Sequence, residues 1–104
     1  MPIPQRFKVS QNAEFKEAHV NVVNALNQLP SNVNFVITST KRSWGNTANK
    51  SGMHPAGKAL DLRDDSDSLK FWYWLDTPEG LQWKNSNGVT ILKEENHYHV
   101  EFNK

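Results

Sequence analysis

The stretch of sequence that decides the fold reads Ser51-Gly-Met-His54-Pro-Ala-Gly57-Lys-Ala59-Leu-Asp61. It places an imidazole, His54, and a carboxylate, Asp61, seven positions apart, with Gly57 between them to allow a sharp turn. An alternating pattern predicts a short strand from Lys58 to Arg63. The polar loop over residues 41–55 precedes that strand, and we predict that the loop is functional because it delivers His54.

Two elements are predicted upstream of this stretch. Apolar residues recur at three- and four-residue spacing between Ala13 and Leu29, which predicts an amphipathic helix. The apolar face of that helix consists of Phe15, Ala18, Val22, Leu26 and Leu29. The β-branched and aromatic run from Asn34 to Thr40 predicts a largely buried strand.

Downstream of the stretch, two helices and two strands are predicted. In chain order they are a helix from about Asp67 to Leu75, a helix with Thr77 as cap and Pro78 at its first position, a hairpin-type turn at Asn85–Gly88, and strands at Val89–Lys93 and His97–Phe102. This order predicts one domain over residues 1–104 of the α+β class. We expect a small, mostly antiparallel sheet with helices packed on one face.

The composition excludes several partners. A net charge of +1 with scattered basic residues argues against nucleic-acid binding. No apolar run is long enough to span a bilayer, and the chain as given carries no signal peptide, so its location stays unknown. The chain has no cysteine, so a transition metal would be held by nitrogen and oxygen atoms. We expect a monomer.

Two histidines and an aspartate provide enough ligands for a catalytic zinc ion, which takes three protein ligands and leaves one position open for water. His54, Asp61 and His99 form such a set if the strands that carry Asp61 and His99 are neighbours. His97 is two residues before His99, so it faces the same side of the predicted strand and could stabilise charge on a substrate oxygen. The same residues are also typical of ordinary loop and strand positions, and a domain without metal is the alternative.

A base and a substrate clamp are also available. Glu94, Glu95 and Glu101 are close in sequence to the paired histidines, and a catalytic water needs a carboxylate base within hydrogen-bond reach. Arg42 follows the predicted buried strand and could bind a substrate carboxylate with its planar guanidinium group. Solvated surface charges are the simpler interpretation of these residues.

The pattern Ser51-x-x-His54-x-x-Gly57-x-Ala59-x-Asp61 resembles the signature of the zinc D-alanyl-D-alanine carboxypeptidases and related murein peptidases, whose fold is shared with the Hedgehog signalling domain. The segment Thr38–Ser43 is similar to the family's strand-end segment, and His97–Glu101 is similar to its closing pair of histidines. The resemblance extends from about Ile37 to Phe102.

The resemblance implies a fold, a cofactor and an activity. It implies zinc held by His54, Asp61 and His99, with Arg42 and Ser51 binding substrate and His97 near the tetrahedral intermediate. The implied reaction is hydrolysis of a peptide bond in peptidoglycan stem peptides by metal-activated water, of the carboxypeptidase or the L,D- or D,D-endopeptidase type. Such an enzyme would act on the bacterial cell wall and would be encoded by a bacterium or, as an endolysin, by a phage.

One position departs from the family pattern. Many members carry the base carboxylate three residues before the last zinc histidine, where this chain has Asn96. Glu94 lies three residues before His97 and would fit the pattern if His97 bound zinc instead of His99. If His99 is the ligand, Glu94 or Glu95 would be the base. We favour Glu94, although the alternation of a regular strand would put Glu95 on the face of His97, so this choice requires a turn or bulge. Asn96 also leaves open an inactive zinc-binding module of the same fold that binds peptide or cell wall.

Overall fold

The computed structural model describes residues 1–45 and 52–104 of the chain. Five strands and three helices lie in these two ranges. In chain order they are β1 (Lys8–Val9), α1 (Val20–Asn27), β2 (Val36–Ser39), β3 (Ala59–Arg63), α2 (Ser66–Trp74), α3 (Pro78–Ser86), β4 (Val89–Lys93) and β5 (His97–Phe102). The predicted α+β class is therefore confirmed.

The strands form one sheet in the order β1-β2-β3-β5-β4. The pairs β2–β3, β3–β5 and β4–β5 are antiparallel, but β1 pairs with β2 in parallel, so the sheet is mixed. A parallel pair needs a crossover connection, and the segment between β1 and β2, which contains α1, provides it. The strand β3 occupies the middle of the sheet, with two strands on each side.

Apolar residues from all three helices pack with one face of the sheet. That face carries Ile37, Leu60, Leu62, Tyr98, Val100 and Phe102, all of which belong to the hydrophobic core. The indole of Trp83 on α3 contacts the rings of Phe71 on α2 and Phe102 on β5, and its Nε1–H donates to the carbonyl of Ala25 on α1 (2.8 Å). One aromatic side chain thereby joins the three helices and the sheet, and the opposite face of the sheet carries mostly polar residues.

The sequence sets the start of α2 and α3. Asp65 is the N-cap of α2, where its carboxylate accepts a hydrogen bond from the backbone N–H of Ser68 (3.0 Å). Thr77 is the N-cap of α3 and accepts from the backbone N–H of Gly80 (3.1 Å), with Pro78 at the first helical position as predicted.

The first predicted helix is too long at its amino end. The chain becomes helical only at Val20, with His19 as N-cap accepting from the backbone N–H of Asn21 (3.1 Å). Phe15 and Lys16 have φ angles of 60° and 52°, which a right-handed helix does not allow. Phe15 is consequently 56% exposed and not part of the predicted apolar face.

The predicted hairpin turn at Asn85–Gly88 is also wrong. The helix α3 extends to Ser86, Asn87 is its C-cap, and Gly88 has a φ of 61°. A left-handed glycine just after a helix is a common way to end it. The segment therefore joins a helix to β4 instead of joining two strands.

Candidate metal site

The face of the sheet opposite the helices carries a row of polar side chains. Residues that pair directly on antiparallel strands project to the same face. Asp61 on β3 pairs with Ser39 on β2 and with His99 on β5. His97 and Glu101 alternate with buried residues along β5, so they share the face of His99. Strand register thus places Asp61 beside His99, as the sequence predicted.

The carboxylate of Asp61 is the centre of the site. Its Oδ1 lies 3.0 Å from Nδ1 of His99, 3.3 Å from Nε2 of His54 and 3.6 Å from Nε2 of His97. Asp61 and His54 are buried, and His99 is partly buried. Each of the residues His54, Asp61 and His99 offers one ligand atom, and these three atoms lie within 4.8 Å of one another. This spacing could hold a metal ion. His97 is not a member of this group.

The ring of His54 is held by the backbone. Its Nδ1 lies 2.9 Å from the carbonyl oxygen of Thr40, and a carbonyl can only accept a hydrogen bond. Nδ1 therefore carries a proton that it donates to Thr40. In a neutral ring, Nε2 then presents its lone pair to Oδ1 of Asp61, an acceptor facing an acceptor. A cation that both atoms could bind would relieve this repulsion, so the residues present fit a metal ion.

The pKa values reflect the close packing of these groups. Burial by itself raises the pKa of Asp61, but the hydrogen bonds that the rings of His54 and His99 donate when they are protonated outweigh it and hold that pKa well below the usual range. The hydrogen bond to Asp61 raises the pKa of His99, burial opposes the rise, and Glu101 adds to it. Asp61 is therefore an ionised carboxylate at neutral pH.

The second oxygen of Asp61 belongs to Arg42. The Nη2 of Arg42 donates to Oδ2 of Asp61 (2.7 Å), and its Nε donates to Oγ of Ser39 (2.8 Å). The predicted substrate clamp thus lies inside the site, where it contacts a candidate ligand. Because Oδ2 is occupied by Arg42, Asp61 presents mainly Oδ1 to the histidines.

Gly57 fixes the loop that delivers His54. Its φ is 76°, and an added Cβ would lie 2.8 Å from the backbone nitrogen of His19. The carbonyl of Gly57 accepts a hydrogen bond from that same nitrogen (2.8 Å), and its N–H donates to the carbonyl of His54 (3.0 Å). The glycine of the motif is therefore needed for both its backbone conformation and its close contact with the start of α1.

The hairpin between β4 and β5 determines which glutamate faces the site. The backbone N–H of Glu94 donates to the carbonyl of His97 (2.8 Å), which extends the pairing of the two strands by one residue. Leu92 pairs with His99, so the alternation of β4 puts Glu94 on the face of His97 and His99. Glu94 is partly buried and Glu95 is exposed. The choice of Glu94 as the base requires a turn between Glu94 and His97, and the structure has that turn.

Asn96 lies in the hairpin turn and contacts His97. The side-chain Oδ1 of Asn96 is 2.7 Å from Nδ1 of His97. His97 keeps 30% of its side chain exposed, about twice the exposure of His99 at 16%. His97 is thus the histidine of this cluster that is most accessible to a substrate.

Two contacts of the site were not singled out by the sequence. The carbonyl of Thr40 contacts His54, and the carboxylate of Glu101 lies 3.0 Å from Nε2 of His99. Glu101 was named only as a nearby carboxylate, and alternation along β5 could have identified its contact with His99, whereas nothing in the sequence indicates a backbone carbonyl as a partner. The predicted substrate-binding residue Ser51 lies outside the described residues.

No family model, no curated protein and no solved structure matches this chain. Among residues 1–45 and 52–104, no helix is long and apolar enough to cross a membrane.

Proposed function

We propose that this protein is a zinc-dependent peptidase that hydrolyses peptide bonds in peptidoglycan stem peptides. The observation that carries the proposal is the convergence of His54 Nε2 and His99 Nδ1 on a single oxygen of Asp61. These are the residues that the resemblance to the murein peptidases identifies as metal ligands. The resemblance supplies the substrate class, and the geometry supports the ligand set.

The donor atoms favour zinc over other common metals. Two imidazole nitrogens and one carboxylate oxygen suit zinc, whereas magnesium and calcium prefer oxygen ligands alone. His97 lies outside the group of three, so a fourth coordination position would stay open for water or substrate. Zinc held there would act as a Lewis acid and lower the pKa of a water molecule to about 7.

The surrounding residues have separate parts in the proposed reaction. Glu94, which shares the face of His97 and His99, accepts a proton from the attacking water at its carboxylate. His97 contacts the carbonyl oxygen of the scissile bond. Arg42 holds Oδ2 of Asp61 and adds positive charge to the site, which favours a substrate with a nearby carboxylate. Ser51 completes the substrate-binding set that the resemblance implies.

The first experiment measures metal content and turnover together. Purified protein would be analysed for bound metal and incubated with peptidoglycan, with and without a chelator, and the released peptides would be identified by mass spectrometry. We expect about one zinc per chain and chelator-sensitive release of stem-peptide fragments. A His54→Ala variant that keeps full activity would contradict the proposal.

An inactive zinc-binding module is the second candidate, and Asn96 is the observation that favours it. Asparagine cannot accept the proton that a base must take at the family's usual position. Adjacent glutamates provide a matched test. The peptidase proposal expects Glu94→Gln to keep zinc and lose turnover, with Glu95→Gln close to wild type. A wild-type protein that binds zinc and stem peptide but cleaves nothing would favour the binding module.

A further inference from the structure

We propose that Glu101 is a positioning residue that keeps the Nδ1 atom of His99 free of a proton and available to a metal ion. This inference rests on the metal site of the proposed function. It assigns a role to a carboxylate that is not one of the proposed ligands.

The ring of His99 lies between two carboxylates. Its Nδ1 is 3.0 Å from Oδ1 of Asp61, and its Nε2 is 3.0 Å from Oε1 of Glu101. Glu101 is 27% exposed and His99 is 16% exposed, so the contact is partly shielded from water. Glu101 pairs across the sheet with Ala59 on one side and with Thr90 on the other. The small side chain of Ala59 leaves Glu101 without a bulky neighbour on β3.

The two carboxylates compete for one proton in a neutral imidazole ring. If the proton is on Nδ1, it is donated to Asp61, and the nitrogen that faces the candidate site cannot bind a metal. If the proton is on Nε2, it is donated to Glu101, and Nδ1 keeps its lone pair. Without Glu101, the close acceptor Asp61 would favour the first form. With both carboxylates 3.0 Å from the ring, the difference is that Asp61 already accepts a charged hydrogen bond from Arg42, which makes Asp61 the weaker acceptor. Glu101 therefore takes the proton of Nε2 and selects the tautomer that can bind metal.

His54 has an equivalent arrangement on the other side of the site. The carbonyl of Thr40 takes the proton of Nδ1, and Nε2 is left for the candidate ion. Both candidate histidine ligands thus have an acceptor on the nitrogen that points away from Asp61. Partners of this kind fix the orientation and tautomer of metal-binding histidines, and removing one typically weakens metal binding by about 10–100-fold.

The test compares two variants of similar size. Glu101→Gln keeps a carbonyl oxygen that can accept the proton of His99, whereas Glu101→Met has a similar length and no strong acceptor. Zinc affinity would be measured by competition with a chromophoric chelator. We expect the methionine variant to bind zinc about 10–100-fold more weakly than wild type and the glutamine variant to stay close to wild type. Glu79→Met, on the exposed start of α3, is the matched control and should leave the affinity unchanged.

A second measurement reads the tautomer directly. Nitrogen NMR of the metal-free protein at alkaline pH would place the His99 proton on Nε2 in wild type and on Nδ1 in Glu101→Met. A wild-type protein that binds no zinc would overturn the proposed function, and the NMR result would still decide the role of Glu101. Unchanged zinc affinity and an unchanged tautomer in Glu101→Met would overturn this inference and leave the proposed function standing. A Glu101→Gln variant with the same zinc affinity and tautomer as Glu101→Met would also overturn it.

Discussion

Replacing Gly57 by alanine tests whether the loop that carries His54 depends on one backbone conformation. The φ of 76° at this position costs a residue with a Cβ about 1–2 kcal/mol. The added Cβ would lie 2.8 Å from the backbone nitrogen of His19 and 3.3 Å from the carbonyl carbon of Ala18, and neither atom can rotate away. Displacement would break the hydrogen bond from His19 to Gly57, a further loss of about 1 kcal/mol.

These contributions add to a loss of about 2–3 kcal/mol in the free energy of unfolding. The melting temperature of a domain this small would then fall by on the order of 10 °C. Urea denaturation and thermal unfolding of the metal-free protein would measure both quantities. Gly45→Ala is the control, because an added Cβ there meets no atom within 4 Å, and its stability should change by less than about 0.5 kcal/mol. A Gly57→Ala protein as stable as the Gly45→Ala protein would refute the argument.

Three further predictions concern the site itself. Zinc at a hundredfold excess over its dissociation constant should raise the free energy of unfolding by about 2.7 kcal/mol in wild type, and calorimetry should find no such rise in His54→Ala. The metal-free protein should lose stability in acid as pH falls below about 3.9, because folding lowers the pKa of Asp61, and denaturation across pH would show it. The same titration should show a second loss as pH rises beyond about 6.5 and through the raised pKa of His99, and Asp61→Asn should reduce both changes. Glu94→Gln should retain zinc and lose peptide release by mass spectrometry, and full turnover in this variant would exclude Glu94 as the base.

The sequence predicted the strands better than the first helix. The bounds of β4 and β5 agree with the prediction because alternation and the short polar link between them are local signals. The helix predicted to begin at Ala13 failed because its first part bonds to distant segments. The carbonyl of Glu14 accepts from the Thr40 hydroxyl (2.7 Å), and the carbonyl of Glu17 accepts from the Lys41 N–H (3.0 Å). The spacing of apolar residues does not show that distant segments will form hydrogen bonds with these backbone groups.

The candidate ligands were predictable, and their supporting contacts mostly were not. Spacing and the resemblance identified His54, Asp61 and His99, and the structure brings these three together. The contact of Arg42 with Asp61 depends on the path of a loop that local sequence does not determine. Glu94 faces the site because it continues the alternation of β4. Alternation counted back from His97 along β5 would select Glu95 instead, and local sequence does not show where the hairpin turn begins.

The position of Asp61 on the central strand has a kinetic consequence. Asp61 and His99 are 38 residues apart in the chain, and they meet only when β3 and β5 have paired. An ion bound to both residues would stabilise the native sheet. It would contribute little stability to the folding transition state if β3 and β5 are not yet fully paired there. Stripping the ion should therefore accelerate unfolding and leave the refolding rate nearly unchanged, a difference that stopped-flow measurements would resolve.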